Sequence, residues 1–110
     1  MNFKFSIVVP VYRGNDSLED IVTISEELYK DNLIEIIFVF DGGESYSWEK
    51  IKELSSNYKK VKGIKLSRNF GQHNATICGF EFVKSAYVVT MDEDLQHHPK
   101  SINNLIEKQI

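Results

Sequence analysis

The sequence predicts an α/β fold with four mainly parallel strands alternating with helices. Three observations carry this. Phe5–Val11 and Ile34–Phe40 are near-continuous apolar runs rich in Val, Ile and Phe, the pattern of strands buried on both faces of a parallel sheet. Stretches of helical period separate the strand-like runs. The connections between them are short and carry turn residues, so strand and helix alternate along the chain.

The elements follow in order. Phe5–Val11 is the first strand; Pro10 cannot donate to a ladder and marks its end. Arg13-Gly14-Asn15 is a loop, and Ser17 with Asp20 resembles a capping box in which Asp replaces Glu or Gln. Leu18, Ile21, Val22, Ser25 and Leu28 then repeat at helical spacing, opposite Glu19, Asp20, Glu26 and Glu27, to an end near Asp31-Asn32. Ile34–Phe40 is the second strand, stopped by Asp41-Gly42-Gly43. Ser47–Tyr58 is a helix with Trp48, Ile51 and Leu54 inward, Trp48 as a packing anchor. Lys62–Leu66 is a third strand, followed by the polar turn Ser67–Gly71. Gln72–Lys84 is a third helix whose small residues Ala75, Cys78 and Gly79 let it lie close to the sheet. Ala86–Met91 is the fourth strand, and Lys100–Gln109 the fourth helix, opened by Pro99.

Composition narrows the function. The 110 residues suffice for one domain, and 42 % apolar with 26 % charged residues is ordinary globular composition. A net charge of −3 argues against a nucleic-acid partner. The single cysteine, Cys78, excludes an intramolecular disulfide and fits a reducing, cytoplasmic compartment; among apolar neighbours it reads as a buried structural thiol. The opening MNFKFSIVVPVY is too short for a membrane span and lacks a small-residue cleavage site.

Right-handed crossovers place the ends of all four strands on one edge of the sheet, where open α/β sheets bind ligands. The residues there are Pro10-Val11-Tyr12, Asp41-Gly42-Gly43, Ser67-Arg68-Asn69 and Asp92-Glu93-Asp94. This set suits a nucleoside diphosphate with a divalent ion. Tyr12 can pack on a base, Asp41 can accept from base or ribose, and Arg68 can pair with a phosphate in bidentate fashion. Asp92 and Asp94, spaced i, i+2 on a tight turn, can both face one hard cation, and Gln96 adds a neutral oxygen. A bare acidic turn is otherwise a solvated surface feature; the other three strand ends give this one its meaning. His97 and His98 read as solvated turn residues, and His73 as a helix-capping residue.

With these residues in place, the chain resembles the nucleotide-binding half of a family 2 glycosyltransferase with the Rossmann-like GT-A fold. The resemblance is to the polyprenyl-phosphate, dolichol-phosphate mannose synthase-like branch. The matching segments are IVVPVY, EIIFVFDGGESYSW, LSRNFGQHNA and VVTMDEDLQHHP, in the family's order and spacing over nearly the whole chain. The resemblance implies that Pro10, Val11 and Tyr12 line the nucleotide pocket, that Asp41 contacts the nucleoside, and that Arg68 lies near the nucleotide. It implies Asp92 and Asp94 as the Asp-x-Asp motif, with Asp94 the direct metal ligand and Gln96 completing the shell of Mg²⁺ or Mn²⁺, both oxygen-seeking ions. The implied activity is metal-dependent, inverting transfer of a sugar from a UDP- or GDP-sugar to an acceptor such as a polyprenyl phosphate. It places a full-length parent in the cytoplasm or at the cytoplasmic face of a membrane.

The sequence also departs from the family pattern. Phe40 stands at the first acid of Asp-Asp-Gly-Ser, Gly43 at its serine, Arg13-Gly14-Asn15 at an Asn-Glu run, and Ser85-Ala86 at Gly-Asp. Residues 1–110 are thereby expected to be the donor-binding portion of a GT-A domain, with the acceptor half and the catalytic base beyond Ile110. An alternative is a nucleotide-sugar-binding module without catalysis. A dinucleotide-binding or receiver-type domain is disfavoured, because no Gly-x-Gly-x-x-Gly follows the first strand and that strand ends in Pro-Val-Tyr instead of an acid pair. A four-stranded sheet has two open edges, so self-association of the isolated chain is expected.

Overall fold

A computed structural model describes residues 3–66, 79–85, 87–91 and 93. They form strands β1 (Phe5–Val11), β2 (Leu33–Phe40), β3 (Val61–Lys65) and β4 (Tyr87–Thr90) and helices α1 (Asp16–Tyr29) and α2 (Ser45–Asn57). The fourth helix, most of the third, and the roles read for Cys78 and the three histidines fall outside the described residues.

The four strands make one sheet in the order β3-β2-β1-β4, and every neighbouring pair is parallel. The chain steps from β1 to β2 to β3 in one direction and then returns to the far side of β1 for β4. The strand order therefore reverses between β1 and β4. All seven residues of β1 are buried, as is every residue of β2 but Ile34, as the apolar runs predict.

Among the described residues the two faces of the sheet are unequal. The larger core lies under the helices, where Ile7, Val9, Ile36 and Phe38 meet Leu18, Ile21 and Val22 of α1 and Ile51 and Leu54 of α2. On the other face Val8, Ile37 and Val39 are covered by Ile64, Leu66 and Val83. Gly79 lies against this second face: a Cβ there would stand 2.5 Å from Val8 Cγ1. The close approach predicted for the third helix is met at that residue.

β1 keeps its expected bounds, Phe5–Val11, with Pro10 paired to Val39 one residue before the end, while several helix boundaries differ from the sequence reading. Val8 accepts from Met91 N–H on the β4 side (3.1 Å), while Val11 accepts from Asp41 N–H on the β2 side (3.2 Å). Alternation along the strand turns the nitrogen of Pro10 toward β4, and that ladder ends at Val8–Thr90, so its missing N–H costs no sheet bond.

Helix α1 begins at Asp16, with Asn15 in the cap position and no side-chain capping bond, so Ser17 lies in the first turn and no capping box forms. Asp16 and Glu19 there favour the positive end of the helix. The inward stripe ends on Tyr29, which is buried, and not on Leu28, which is 44 % exposed. At 100° per residue, Tyr29 returns to within about 20° of Leu18 around the helix, whereas Leu28 is about 80° away. The Tyr29 ring meets Phe5 edge-on at 5.6 Å.

Helix α2 starts at Ser45, two residues before the predicted Ser47. Trp48 is its packing anchor, with its ring 5.8 Å from Phe40. The third helix does not reach Lys84: Gly79 and Phe80 are helical, but Glu81 and Phe82 turn away and Val83-Lys84 is irregular. The reason is a buried acid. The Lys84 backbone N–H donates to Glu35 Oε2 at 2.7 Å, a bond that a continuing helix would forbid.

Glu35 is 1 % exposed in the first half of β2. It also accepts from the Ser6 hydroxyl at 2.8 Å and pairs with Lys62 Nζ at 2.7 Å. Burial pushes its carboxyl up, but the bonds from Lys62, the Lys84 backbone and Ser6 outweigh burial and hold it below the ordinary glutamate value. Lys62 moves up in turn, chiefly through its bond to Glu35. Ser85, at a departure from the family pattern, joins the cluster through Ser6 at 2.8 Å. This group ties the starting ends of the strands together, opposite the edge where ligands are expected.

Candidate functional site

The described strand ends converge as the topology requires. Val11 leads into Tyr12, Phe40 into Asp41, and Met91 into the turn that carries Glu93. Helices α1 and α2 both start at this edge, directly after those loops, so the positive ends of two helices face it.

The loops after β1 and β2 are fitted to each other. Glu44 N–H donates to the Tyr12 carbonyl at 2.9 Å. Gly42 takes a positive φ of 72°, which glycine adopts without steric cost. At Gly43 a Cβ would fall 2.0 Å from the Tyr12 carbonyl oxygen, so the residue at the family's serine position is packed directly on the neighbouring backbone.

The candidate nucleotide residues differ in access. Pro10 and Val11 are buried, with Val11 in the main core; their side chains set the floor of the edge. Tyr12 stands at its rim, 41 % exposed, with the Arg13 guanidinium 5.4 Å from its ring centre, a cation–π distance. Asp41 is 4 % exposed. Phe40, at the family's first acid, is a core residue against Trp48. The Asp41 N–H donates to the Val11 carbonyl at 3.2 Å, so the loops that carry Tyr12 and Asp41 adjoin along their backbones. Arg68, Asp92, Asp94 and Gln96 lie outside the described residues.

One residue of the edge went unassigned in the sequence reading. Glu93 accepts from the backbone N–H of Tyr12 at Oε2 (2.8 Å) and of Arg13 at Oε1 (2.8 Å), and Gly14 N–H also donates to Oε1. Three consecutive amides converging on one anion form a nest. The only signal for this in the sequence is an acid between two others, and its partners lie about eighty positions away. No cluster of three or more His, Cys, Asp or Glu suited to a metal occurs among the described residues.

Residues 6–109 match the family described as Glycosyl transferase family 2. The chain belongs to glycosyl transferase family 2. Two curated relatives carry the name undecaprenyl-phosphate 4-deoxy-4-formamido-L-arabinose transferase. The one from Edwardsiella ictaluri is 37 % identical over 105 residues, covering 93 % of this chain and 32 % of the relative. The one from Shewanella sediminis is 37 % identical over 106 residues, covering 94 % and 32 %. These names lie in the polyprenyl-phosphate branch that the motifs resemble. The chain therefore spans about a third of the length of the curated family members it matches.

Two solved structures share the fold. The mannosyltransferase PcManGT from Pyrobaculum calidifontis, solved with GDP-Man and Mn²⁺, superposes with a TM-score of 0.77 at 14 % identity, over 96 % of this chain and 32 % of that one. TarS 1–349 of S. aureus gives 0.66 at 18 % identity, over 96 % and 33 %. Both likenesses support the Rossmann-like α/β architecture. Among the described residues no helix is long and apolar enough to cross a membrane.

Proposed function

We propose that residues 1–110 form the donor-binding portion of a metal-dependent, inverting glycosyltransferase. The reaction moves a sugar from a nucleotide-diphosphate sugar, UDP- or GDP-linked, to a polyprenyl-phosphate acceptor at the cytoplasmic face of a membrane. The observation that carries this reading is the convergence of Tyr12, Asp41 and the Glu93 turn at the edge where the strand order reverses, the ligand site of open α/β sheets. Tyr12 is the platform for the base, Asp41 the acceptor for base or ribose, and Arg68 the phosphate partner. Asp92, Asp94 and Gln96 are the oxygen donors for Mg²⁺ or Mn²⁺, and their chemistry fits a hard ion. That ion, when bound, offsets the charge of the departing diphosphate. Support for the donor and acceptor comes from the names of the family members and from the GDP-Man and Mn²⁺ bound by PcManGT.

Inverting transfer needs a base that deprotonates the acceptor, and residues 1–110 offer no group assigned to that role. Together with the one-third span of the relatives, this favours a second reading for the chain by itself, a nucleotide-sugar-binding module. Sustained hydrolysis of a UDP- or GDP-sugar by the purified chain contradicts the module reading.

The test of the donor site is calorimetric titration with UDP- and GDP-sugars, with and without Mn²⁺, on the chain and on Asp94→Ala. Binding that requires Mn²⁺ and disappears in the variant is the expected result. Equal binding by the variant, or binding indifferent to Mn²⁺, overturns the assignment of the metal motif.

A further inference from the structure

Glu93 lies between the two aspartates assigned to the metal, yet its carboxylate is directed across the sheet end at a different loop. Its partners are the amides of Tyr12, Arg13 and Gly14, at sequence separations of 81, 80 and 79. The contact joins the ends of β1 and β4, the pair between which the strand order reverses. Two features mark it as built into the fold. The space beside the loop is shaped to the carboxylate: Gly14 is buried, and a Cβ there would stand 2.8 Å from Glu93 Oε1 and 2.8 Å from Leu18 Cδ2. Any larger residue at position 14 would displace either the acid or the first turn of α1. The β1–β4 ladder has also ended by this point, with its last strand pair at Val8–Thr90 and the Met91 N–H bonded to Val8. Past that bond, Glu93 is the described link between the two loops.

We infer that Glu93 is a positioning residue, a carboxylate latch that holds the nucleotide loop Tyr12–Gly14 and the metal motif in fixed relation. The inference rests on the donor-site reading above. Asp92 and Asp94 are its covalent neighbours, so anchoring Glu93 anchors the backbone from which both project. The same three bonds fix the loop that presents Tyr12 and Arg13. A charged acceptor suits the site because all three partners are donors. A glutamine there offers one accepting oxygen and sets its own N–H groups against a backbone N–H.

The test uses ¹⁵N-labelled 110-residue chain as wild type, Glu93→Gln, Glu93→Asp and Glu93→Ala. Amide hydrogen exchange is measured residue by residue, and GDP and UDP are titrated in the presence of Mn²⁺. The expected result is slow exchange at Tyr12, Arg13 and Gly14 in the wild type, at least tenfold faster in Glu93→Gln and Glu93→Ala. Exchange along Phe5–Val11 should stay unchanged, which controls for folding. Nucleotide affinity should fall about tenfold in the same two variants, with partial recovery of both readouts in Glu93→Asp. The inference is overturned if the three amides exchange equally fast in wild type and Glu93→Gln, or if they are released while affinity stays within twofold. Loss of the donor-site reading looks different. It shows as a wild-type chain that binds neither nucleotide, and the latch is then judged by the amides alone.

Discussion

Replacing Glu35 tests the account of the buried cluster most directly. Three donors meet its carboxylate, from Ser6 at 2.8 Å, Lys62 at 2.7 Å and the Lys84 backbone at 2.7 Å. Hydrogen bonds to a charged group contribute about 1.5–3 kcal/mol each, so the gross sum reaches about 5–9 kcal/mol. Two features reduce it. The carboxylate is desolvated, which opposes the bonds. The Lys62 side chain is 39 % exposed and reaches water without its partner, and Ser6 keeps Ser85 at 2.8 Å. The net loss expected for Glu35→Ala is about 2–4 kcal/mol at pH 7, with a smaller loss for the isosteric Glu35→Gln.

The assay is urea unfolding followed by the fluorescence of Trp48, the sole tryptophan. With a slope of about 2 kcal/mol per molar urea, the midpoint should fall by about 1–2 M in the alanine variant. The pH dependence carries a sign. The folded carboxyl sits below its ordinary value, so the folded state binds fewer protons than the unfolded chain in that range. Its contribution is present above the ordinary glutamate value of about 4.3 and is lost as pH falls through the depressed one. The gap between wild type and Glu35→Gln should therefore close on acidification. A gap that widens toward pH 3, or a Glu35→Ala cost below about 0.5 kcal/mol at pH 7, where an exposed substitution would fall, refutes the reasoning.

Two further outcomes follow from the same packing. In Gly43→Ala the new Cβ starts 2.0 Å from the Tyr12 carbonyl oxygen, so the two loops must separate by about 1 Å and lose the Glu44–Tyr12 bond; a destabilisation of about 1–3 kcal/mol in urea unfolding is expected, with weaker nucleotide binding. Tyr29→Ala should cost about 3 kcal/mol through loss of the Phe5 contact, while Leu28→Ala should stay within about 0.5 kcal/mol; comparable losses at both positions would refute the assignment of the buried stripe.

Most of the fold was legible because it is written in local patterns. The apolar runs of β1 and β2 announce burial on both faces, and Asp41-Gly42-Gly43 announces the turn. What was not legible depends on partners remote in sequence. Glu35 reads as one acid in an apolar strand until Ser6, Lys62 and Lys84 are brought around it. Glu93 reads as the middle of an acidic run until the β1 loop is folded over it. Pro10 marks the end of β1 to within one residue, but that it faces a ladder already stopped at Val8–Thr90 depends on β4. Leu28 and Tyr29 are both apolar enough to be buried, and only helical phase separates them. At the site, Tyr12 and Asp41 were named from their strand ends, and the burial of Pro10 and Val11 followed from the apolar run that contains them.

The place of β1 in the sheet has a consequence for how the chain assembles. One edge of β1 is completed early, since β2 follows within about thirty positions and α1 covers the connection. The other edge waits for β4, whose residues pair with β1 across roughly eighty positions. On a ribosome, β1–β3 with α1 and α2 can gather while that edge is still bare. Contacts of such long span are slow to form, and an unpaired apolar strand edge is open to other chains in the interval. Closure by β4 is then the step at which the proposed donor edge comes into being, so any ligand that prefers the closed sheet favours that step.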